Sequence, residues 1–328
     1  DILPDSHRIP VPLADRDPPR RALDDPLVRR TVLDVEDTAA LAAALAGHQL
    51  LINALPFQQA GRVATAARAR GVHYLDLTED VAATRVIRGL ADGADTVLMP
   101  QCGLAPGVIG MLGAHLAGRF DDLHGLHLRV GPLSRHATNG LRYNFTWSID
   151  GLINEYCHPC AAIVQGQPVS AQPLEGYETL VLDGDTYEAF NTSGGLGTLC
   201  ETLAGRVRNL DYKTLRYPGH RDAMALLLHD LRLVERRDLL RQVLEHAVPH
   251  SREDTVIVFA SATGMRGGRL EQETRMARIQ GGRLRGVDRT AIELATAAGV
   301  VGVFELLRTG RLPARGFVGQ ERVALEDF

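Results

Sequence analysis

Short apolar runs and helical periods alternate through the first third of the chain. Pro10 to Asp17 (PVPLADRD) reads as a short strand that ends on acid, and Val32 to Asp34 as a second strand. Asp37 before an Ala/Leu tract has the form of a helix with a side-chain cap. Gln49 to Ala54 (QLLINA) is apolar enough for a buried strand, and Ala60 to Arg70 is an amphipathic helix halted at Gly71. His73 to Leu77 predicts another strand, residues 80–92 another helix, and Thr96 to Pro100 a further strand. Strand and helix in alternation at this spacing predict a parallel sheet with helices on both faces, a doubly wound α/β domain.

After about residue 122 the rhythm lengthens. Leu126–Val130, Asn144–Trp147, Thr179–Leu182, Lys213–Tyr217 and Thr255–Ala260 are strand candidates separated by loops and two helices, which predicts a mixed α+β second domain. Residues 291–309 (AIELATAAGVVGVFELLRT) form a long helix with no wide polar face, so it should pack back between domains. The expected division is 1–121, 122–290 and 291–328.

Composition narrows the class without naming a function. The 328 residues are 45% hydrophobic and 23% charged, which excludes a disordered, collagenous or disulfide-scaffold protein. A formal charge of −4, spread along the chain, offers no footprint for nucleic acid. Cys102, Cys157, Cys160 and Cys200 are too few to staple a secreted domain, so thiols in a reducing cytoplasm are expected. No apolar run has the length of a membrane helix, and no signal pattern opens the chain. Cys157-His158-Pro159-Cys160 has metal-site spacing, but no second pair completes a ligand set, so no metal is expected.

In a doubly wound sheet, ligands bind at the carboxyl ends of the strands. That directs attention to Asp15-Arg16, Asn53-Ala54-Leu55-Pro56, Asp76-Leu77-Thr78 and the loop carrying Cys102. Asp15 stands where an acid accepts hydrogen bonds from an adenosine ribose, although Asp15 or Asp17 could equally cap a helix after Pro18-Pro19. Asp34, at the end of the next strand, is a further candidate for the same cofactor. Only 14 residues precede Asp15, where a strand, a glycine-rich turn and a helix would occupy about 25. Gly194-Gly195-Leu196-Gly197 lacks the strand-before, helix-after context to replace that turn.

The segments LINALPF (51–57), VHYLDLTED (72–80), MPQCGLAPG (99–107), FTWSIDGLINEY (145–156), FNTSGGLGTLCETL (190–203), LDYKTLRYPGH (210–220) and GFVGQERVALEDF (316–328) together resemble the saccharopine dehydrogenase family. Within it they are most similar to bacterial saccharopine dehydrogenase-like proteins and lysine 6-dehydrogenase. The resemblance runs through nearly the whole chain. It implies a Rossmann domain joined to an α+β substrate and dimerisation domain, with carboxyl-terminal structure returning to the first. It also implies a homodimer and an NAD- or NADP-dependent oxidoreductase acting at a carbon–nitrogen bond of a small amino-acid substrate. Family members carry the glycine loop at their amino terminus and continue past EDF, so a fragment cut at each end is expected.

The same resemblance assigns residues. Arg216 and Trp147 match an arginine and a tryptophan that contact substrate in fungal saccharopine reductases, and an arginine fork suits a carboxylate. A surface ion pair and core packing are the structural alternatives for these two. His220, after Pro218-Gly219, is the candidate proton acceptor, with Lys213 as competing base. Asn191, Thr192 and Ser193 could offer hydroxyls and amides to substrate, or simply build a turn. Fungal glutamate-forming enzymes have an acid where this chain has Ala105, as lysine 6-dehydrogenase does, whereas Trp147 is the saccharopine-type residue. Arg16 would favour NADP and Asp15 NAD. A binding protein without its phosphate loop is the non-enzymatic alternative.

Overall fold

The computed structural model describes residues 11–17, 27–284 and 286–328, so Pro10 and the Pro18-Pro19 segment lie outside the described residues. The first region runs β1 (Val11–Asp15), β2 (Val28–Val32), α1 (Thr38–Ala44), β3 (Leu50–Asn53), α2 (Ala60–Ala69), β4 (His73–Asp76), α3 (Val81–Ala91), β5 (Val97–Met99) and α4 (Val108–Ala117). The second runs β6 (Asp122–Ser134), α5 (Ile149–Cys157), β7 (Cys160–Val164), β8 (Gln167–Ala171), β9 (Glu178–Leu182), β10 (Asp185–Asn191), α6 (Leu199–Thr202), β11 (Val207–Arg216), α7 (His220–Ala225), α8 (Arg237–Ala247), β12 (Asp254–Arg266) and β13 (Arg269–Gln280). The chain closes with β14 (Gly282–Leu284), β15 (Val287–Arg289), α9 (Ala291–Arg308) and β16 (Gly316–Phe317).

Strands β3, β4, β5 and β16 form a parallel sheet in the order β16-β5-β4-β3. Alternation along it separates two cores. Tyr74 and Leu98 point toward α2 and α3, where Val63, Ala64, Ala67 and Ile87 sit at helical spacing. Leu75, Val97 and Met99 point the other way, against Val300, Val303 and Leu306 of α9. The sheet is therefore covered on both faces, one of them by the carboxyl-terminal helix. Asp37 caps α1 by accepting from the Ala39 and Ala40 amides. The strands β1 and β2 pair in parallel as a separate two-stranded sheet, and no strand among the described residues joins it to the other four.

The second region is built on a mixed eight-stranded sheet with the path β13-β12-β6-β11-β10-β9, from which β7 pairs with β11 and β8. Strand β6 lies parallel to β11 and antiparallel to β12. Leu126, Leu128, Val256, Val258 and Ala260 face one side and pack with Ile109 and Leu116 of α4 and Ala291 and Ala295 of α9. Among the described residues no helix is long and apolar enough to cross a membrane.

Two expected strands are corrected. Asn144–Trp147 is irregular and makes only the isolated bridge Phe145 to His250, because the Asn139 side chain takes up the Tyr143 carbonyl and amide and bends the chain. The second strand is Val28–Val32 and not Val32–Asp34, since the Asp34 carboxylate accepts the Glu36 amide and turns the chain there.

Candidate active site

A cavity of about 360 Å³ opens where the loops at the carboxyl ends of β3, β4 and β5 meet the second region. Its first wall comes from Ala54–Phe57, Leu77–Glu79 and Gly103–Pro106. Its opposite wall comes from Trp147 and Glu155 on and before α5, and from Tyr212, Thr214 and Arg216 on β11. The three β11 residues are spaced by two and so share one face of the strand.

Arg216 is the deepest charge, only 1% exposed. Its Nε donates to the Tyr156 hydroxyl at 3.1 Å and its Nη1 to the Leu215 carbonyl at 2.9 Å, while the guanidinium lies 5.3 Å from the centre of the Tyr143 ring. Its Nη2 is buried with no hydrogen-bond partner. No carboxylate forms an ion pair with it among the described residues. Such an unsatisfied, charged donor costs stability unless a ligand fills the gap.

The Trp147 indole donates to the Tyr143 hydroxyl at 2.7 Å and lies against Gly151, where a Cβ would come within 2.6 Å of the ring. Ser148 caps α5 by accepting the Gly151 amide, which fixes the turn that presents Trp147. Glu79 is half-buried and Glu155 buried. Desolvation lifts both acids, Glu155 to about 8, with the neighbouring Glu79 charge adding to the rise and Arg216 opposing it.

His220 is corrected as a near-neutral base. It opens α7, 1% exposed, with Nδ1 donating to the Leu141 carbonyl at 2.7 Å and Nε2 accepting from the Tyr156 hydroxyl at 3.1 Å. Burial, with Arg216 nearby, depresses its pKa to about 3. Neutral His220 therefore positions Tyr156, which positions Arg216. Lys213 is corrected as a base in the cleft: odd-numbered β11 residues face the other side of the sheet. There Lys213 Nζ binds Glu178 at 2.7 Å within a cluster containing Arg129 and Asp211.

Cys102 is also corrected. Its thiol points into the core among Met99, Met111 and Val300, with Sγ donating to the Met99 carbonyl. Asn53 and Asp76 brace the loops after β3, β4 and β5 from behind. Asp76 Oδ1 accepts from the Thr78 and Gln101 amides, both at 3.0 Å, and its Oδ2 from the Tyr74 hydroxyl. Asn53 donates to Tyr74 and accepts from the Leu55 amide. Ala54, Leu55, Pro56 and Thr78 do line the cavity. Asp15, Arg16 and Asp34 stand exposed at the ends of β1 and β2, away from the cavity lining.

Asn191, Thr192 and Ser193 lie behind the cleft and not on its wall. Ser193 donates through its amide to the Glu155 carbonyl and through its hydroxyl to the Pro159 carbonyl, and Asn191 Nδ2 donates to the Gln172 carbonyl. The glycines that follow are packing devices. A Cβ on Gly194, at φ +87°, would fall 2.4 Å from the Glu79 carbonyl oxygen, and one on Gly195 would fall 2.2 Å from the Tyr212 ring. Gln320 is fully buried behind Gly197 and donates to the Leu196 carbonyl, while Glu321 accepts from the Thr198 and Thr202 hydroxyls. The carboxyl-terminal segment thus clamps this loop. The four cysteines are free thiols, and the described residues contain no group of three His, Cys, Asp or Glu placed to hold a metal.

Glu79, Glu155 and Tyr212 escaped the sequence reading although all three lie inside quoted segments. The parity of β11 was the available signal: a face containing Arg216 contains Tyr212 and excludes Lys213.

Comparison with known proteins adds a lineage to this geometry. A sequence profile described as the saccharopine dehydrogenase C-terminal domain matches residues 103–327, and one described as the saccharopine dehydrogenase NADP binding domain matches residues 3–96. Apo saccharopine dehydrogenase (L-Glu forming) from Saccharomyces cerevisiae superposes with a TM-score of 0.75 at 15% identity, over 96% of this chain and 89% of that one. Homospermidine synthase from Legionella pneumophila, in complex with NAD, gives 0.67 at 12% identity over 98% and 83%. At these identities the superpositions establish the fold.

Proposed function

Because the chain belongs to the saccharopine dehydrogenase family, we propose that it oxidises, or reductively forms, a carbon–nitrogen bond of an amino acid with a nicotinamide dinucleotide. Saccharopine, or its reductive assembly from glutamate and aminoadipate semialdehyde, is the substrate pair of this reading. The observation that carries it is the buried, unpartnered Arg216 Nη2 in a cleft facing the carboxyl ends of a parallel sheet. A lysine 6-dehydrogenase-type reaction is the second reading, favoured by Ala105 in the cleft wall.

The cofactor is NAD or NADP, in keeping with the family's NADP-binding amino-terminal domain. The residues present fit its nicotinamide half: Ala54, Leu55, Pro56, Leu77, Gly103 and Leu104 make a largely apolar shelf at the strand ends. Asp15 and Arg16, at the carboxyl end of β1, suit its adenosine half. When bound, the nicotinamide supplies hydride acceptance or donation at the substrate carbon.

The chain's own contribution is positioning and charge. Arg216 is held by Tyr156 and Leu215 so that Nη2 remains free for a carboxylate, giving a short, directed, charge-assisted bond. Trp147 forms a flat wall that excludes water beside it. Incubating the protein with saccharopine, lysine and related secondary amines, with NAD and with NADP, while following reduced-nicotinamide absorbance tests the reading. Turnover with an amino-acid amine is expected, and none above background across about pH 7–10, where amines lose their protons, contradicts it.

A further inference from the structure

We infer that Glu155 is the group that takes the proton from the amine of a bound amino acid, on the same wall of the cleft as the guanidinium that holds its carboxylate. The inference rests on the amino-acid reading of the cleft and assigns the proton acceptor that reading leaves open. Glu155 is 9% exposed, lines the cavity, and its carboxylate makes no hydrogen bond or ion pair among the described residues. Buried carboxylates are ordinarily paired, and this one lines the same cavity as Arg216, whose Nη2 is equally unpartnered. An α-amino acid carries the two complementary groups, a carboxylate for Arg216 and an ammonium for Glu155.

The groups around Glu155 leave room for one more cation. Glu79 faces it from the loop after β4, Arg216 and Tyr212 from β11, Tyr143 from the segment before α5, Tyr156 from its own helix and Cys160 from β7. Burial raises all three tyrosines, Tyr143 to about 12, and Cys160 also to about 12, so these four stay neutral. One guanidinium against two acids leaves Glu155 holding a proton in the free site, with its pKa lifted to about 8. Asp150, the other acid on the wall, is engaged by Arg241 at 3.0 Å. His220 and Lys213 are occupied elsewhere, as described above.

An arriving ammonium displaces the proton that Glu155 holds, which passes to bulk solvent and leaves Glu155 as a carboxylate. The ammonium's own N–H bond then breaks, its proton passing to a Glu155 carboxylate oxygen to form an O–H bond. The nitrogen keeps the electron pair, which loss of a hydride from the adjacent carbon requires.

Calorimetry of the protein with L-glutamate and with glutarate, in two buffers of different ionisation enthalpy near pH 7, reads this without turnover. Glutamate should bind with release of most of one proton, because burial and the Glu79 charge hold Glu155 largely protonated near neutrality. Glutarate, which lacks the amine, should bind and release none. Glu155→Gln should weaken glutamate by about tenfold or more and abolish the release, while still binding glutarate, which shows that the variant is folded. Glu79→Gln should reduce the release without abolishing it, because it removes a neighbouring charge while the burial that holds the proton on Glu155 remains. Glutamate binding to the native protein without proton release, or an unchanged release in Glu155→Gln, overturns the inference and leaves the amino-acid reading standing. If neither ligand binds, both fall.

Discussion

Replacing Arg216 by Met removes a charge while keeping most of the aliphatic stem. The bonds from Nε to Tyr156 and from Nη1 to the Leu215 carbonyl are lost, each worth about 1.5–3 kcal/mol for a charged donor. The cation over Tyr143 is lost as well, about 1–2 kcal/mol at a desolvated site. Against these stands the desolvation of a guanidinium that is 1% exposed, several kcal/mol after relaxation, and the unpaired Nη2, about 1–3 kcal/mol. The opposing terms cancel to within about 2 kcal/mol, so the melting temperature should move by less than about 6 °C in either direction. Binding should not cancel. A carboxylate deprived of its buried partner loses about 2–5 kcal/mol, a weakening of roughly 30- to 5000-fold. Differential scanning fluorimetry and calorimetry with glutarate measure the two sides separately. A melting point lowered by more than about 10 °C with glutarate affinity unchanged would show that Arg216 is held for stability, and the argument from its empty nitrogen would be refuted.

The buried neutral His220 makes stability acid-sensitive. Its folded pKa lies near 3 and its unfolded value at 6.5, so its contribution is complete above about 6.5 and is lost as pH falls toward 3. Melting points of His220→Gln should therefore fall less steeply over that window than those of the native protein; parallel slopes would count against it. Asp76→Asn keeps the oxygen that receives Thr78 and Gln101 and should cost under about 1 kcal/mol, whereas Asp76→Ala strands both amides and should cost about 2–4 kcal/mol in urea unfolding. Gly194→Ala forces a Cβ onto the Glu79 carbonyl at positive φ, so substrate affinity should drop with thermal stability, and wild-type values for both would contradict the packing described for that loop.

The doubly wound half was legible because β3, β4 and β5 are short apolar runs punctuated by amphipathic α2 and α3, where period and burial agree. Strand β13 was not, since RLEQETRMARIQ is an edge strand with polar residues on both faces, held by backbone pairing with β12 along its length. The long-range site was half legible. Arg216 and Trp147 stood out as residue types in a matched context, but the environment that sets a pKa is tertiary. Nothing local to His220 announces Tyr156 and Leu141 on either side of its ring, and nothing local to Glu155 announces a carboxylate without a partner. Cys102 shows the converse, a residue in the expected loop whose side chain turns inward because the core behind β5 needs it.

The central claim is that Arg216 holds the carboxylate of an amino acid in the cleft between the two regions. A crystal structure of the protein with an amino-acid ligand and a nicotinamide dinucleotide measures it directly. The account predicts a carboxylate oxygen at about 2.7–2.9 Å from Arg216 Nη2, with the ligand's nitrogen turned toward Glu155. An amino acid bound elsewhere, with Nη2 still without a partner, would contradict it.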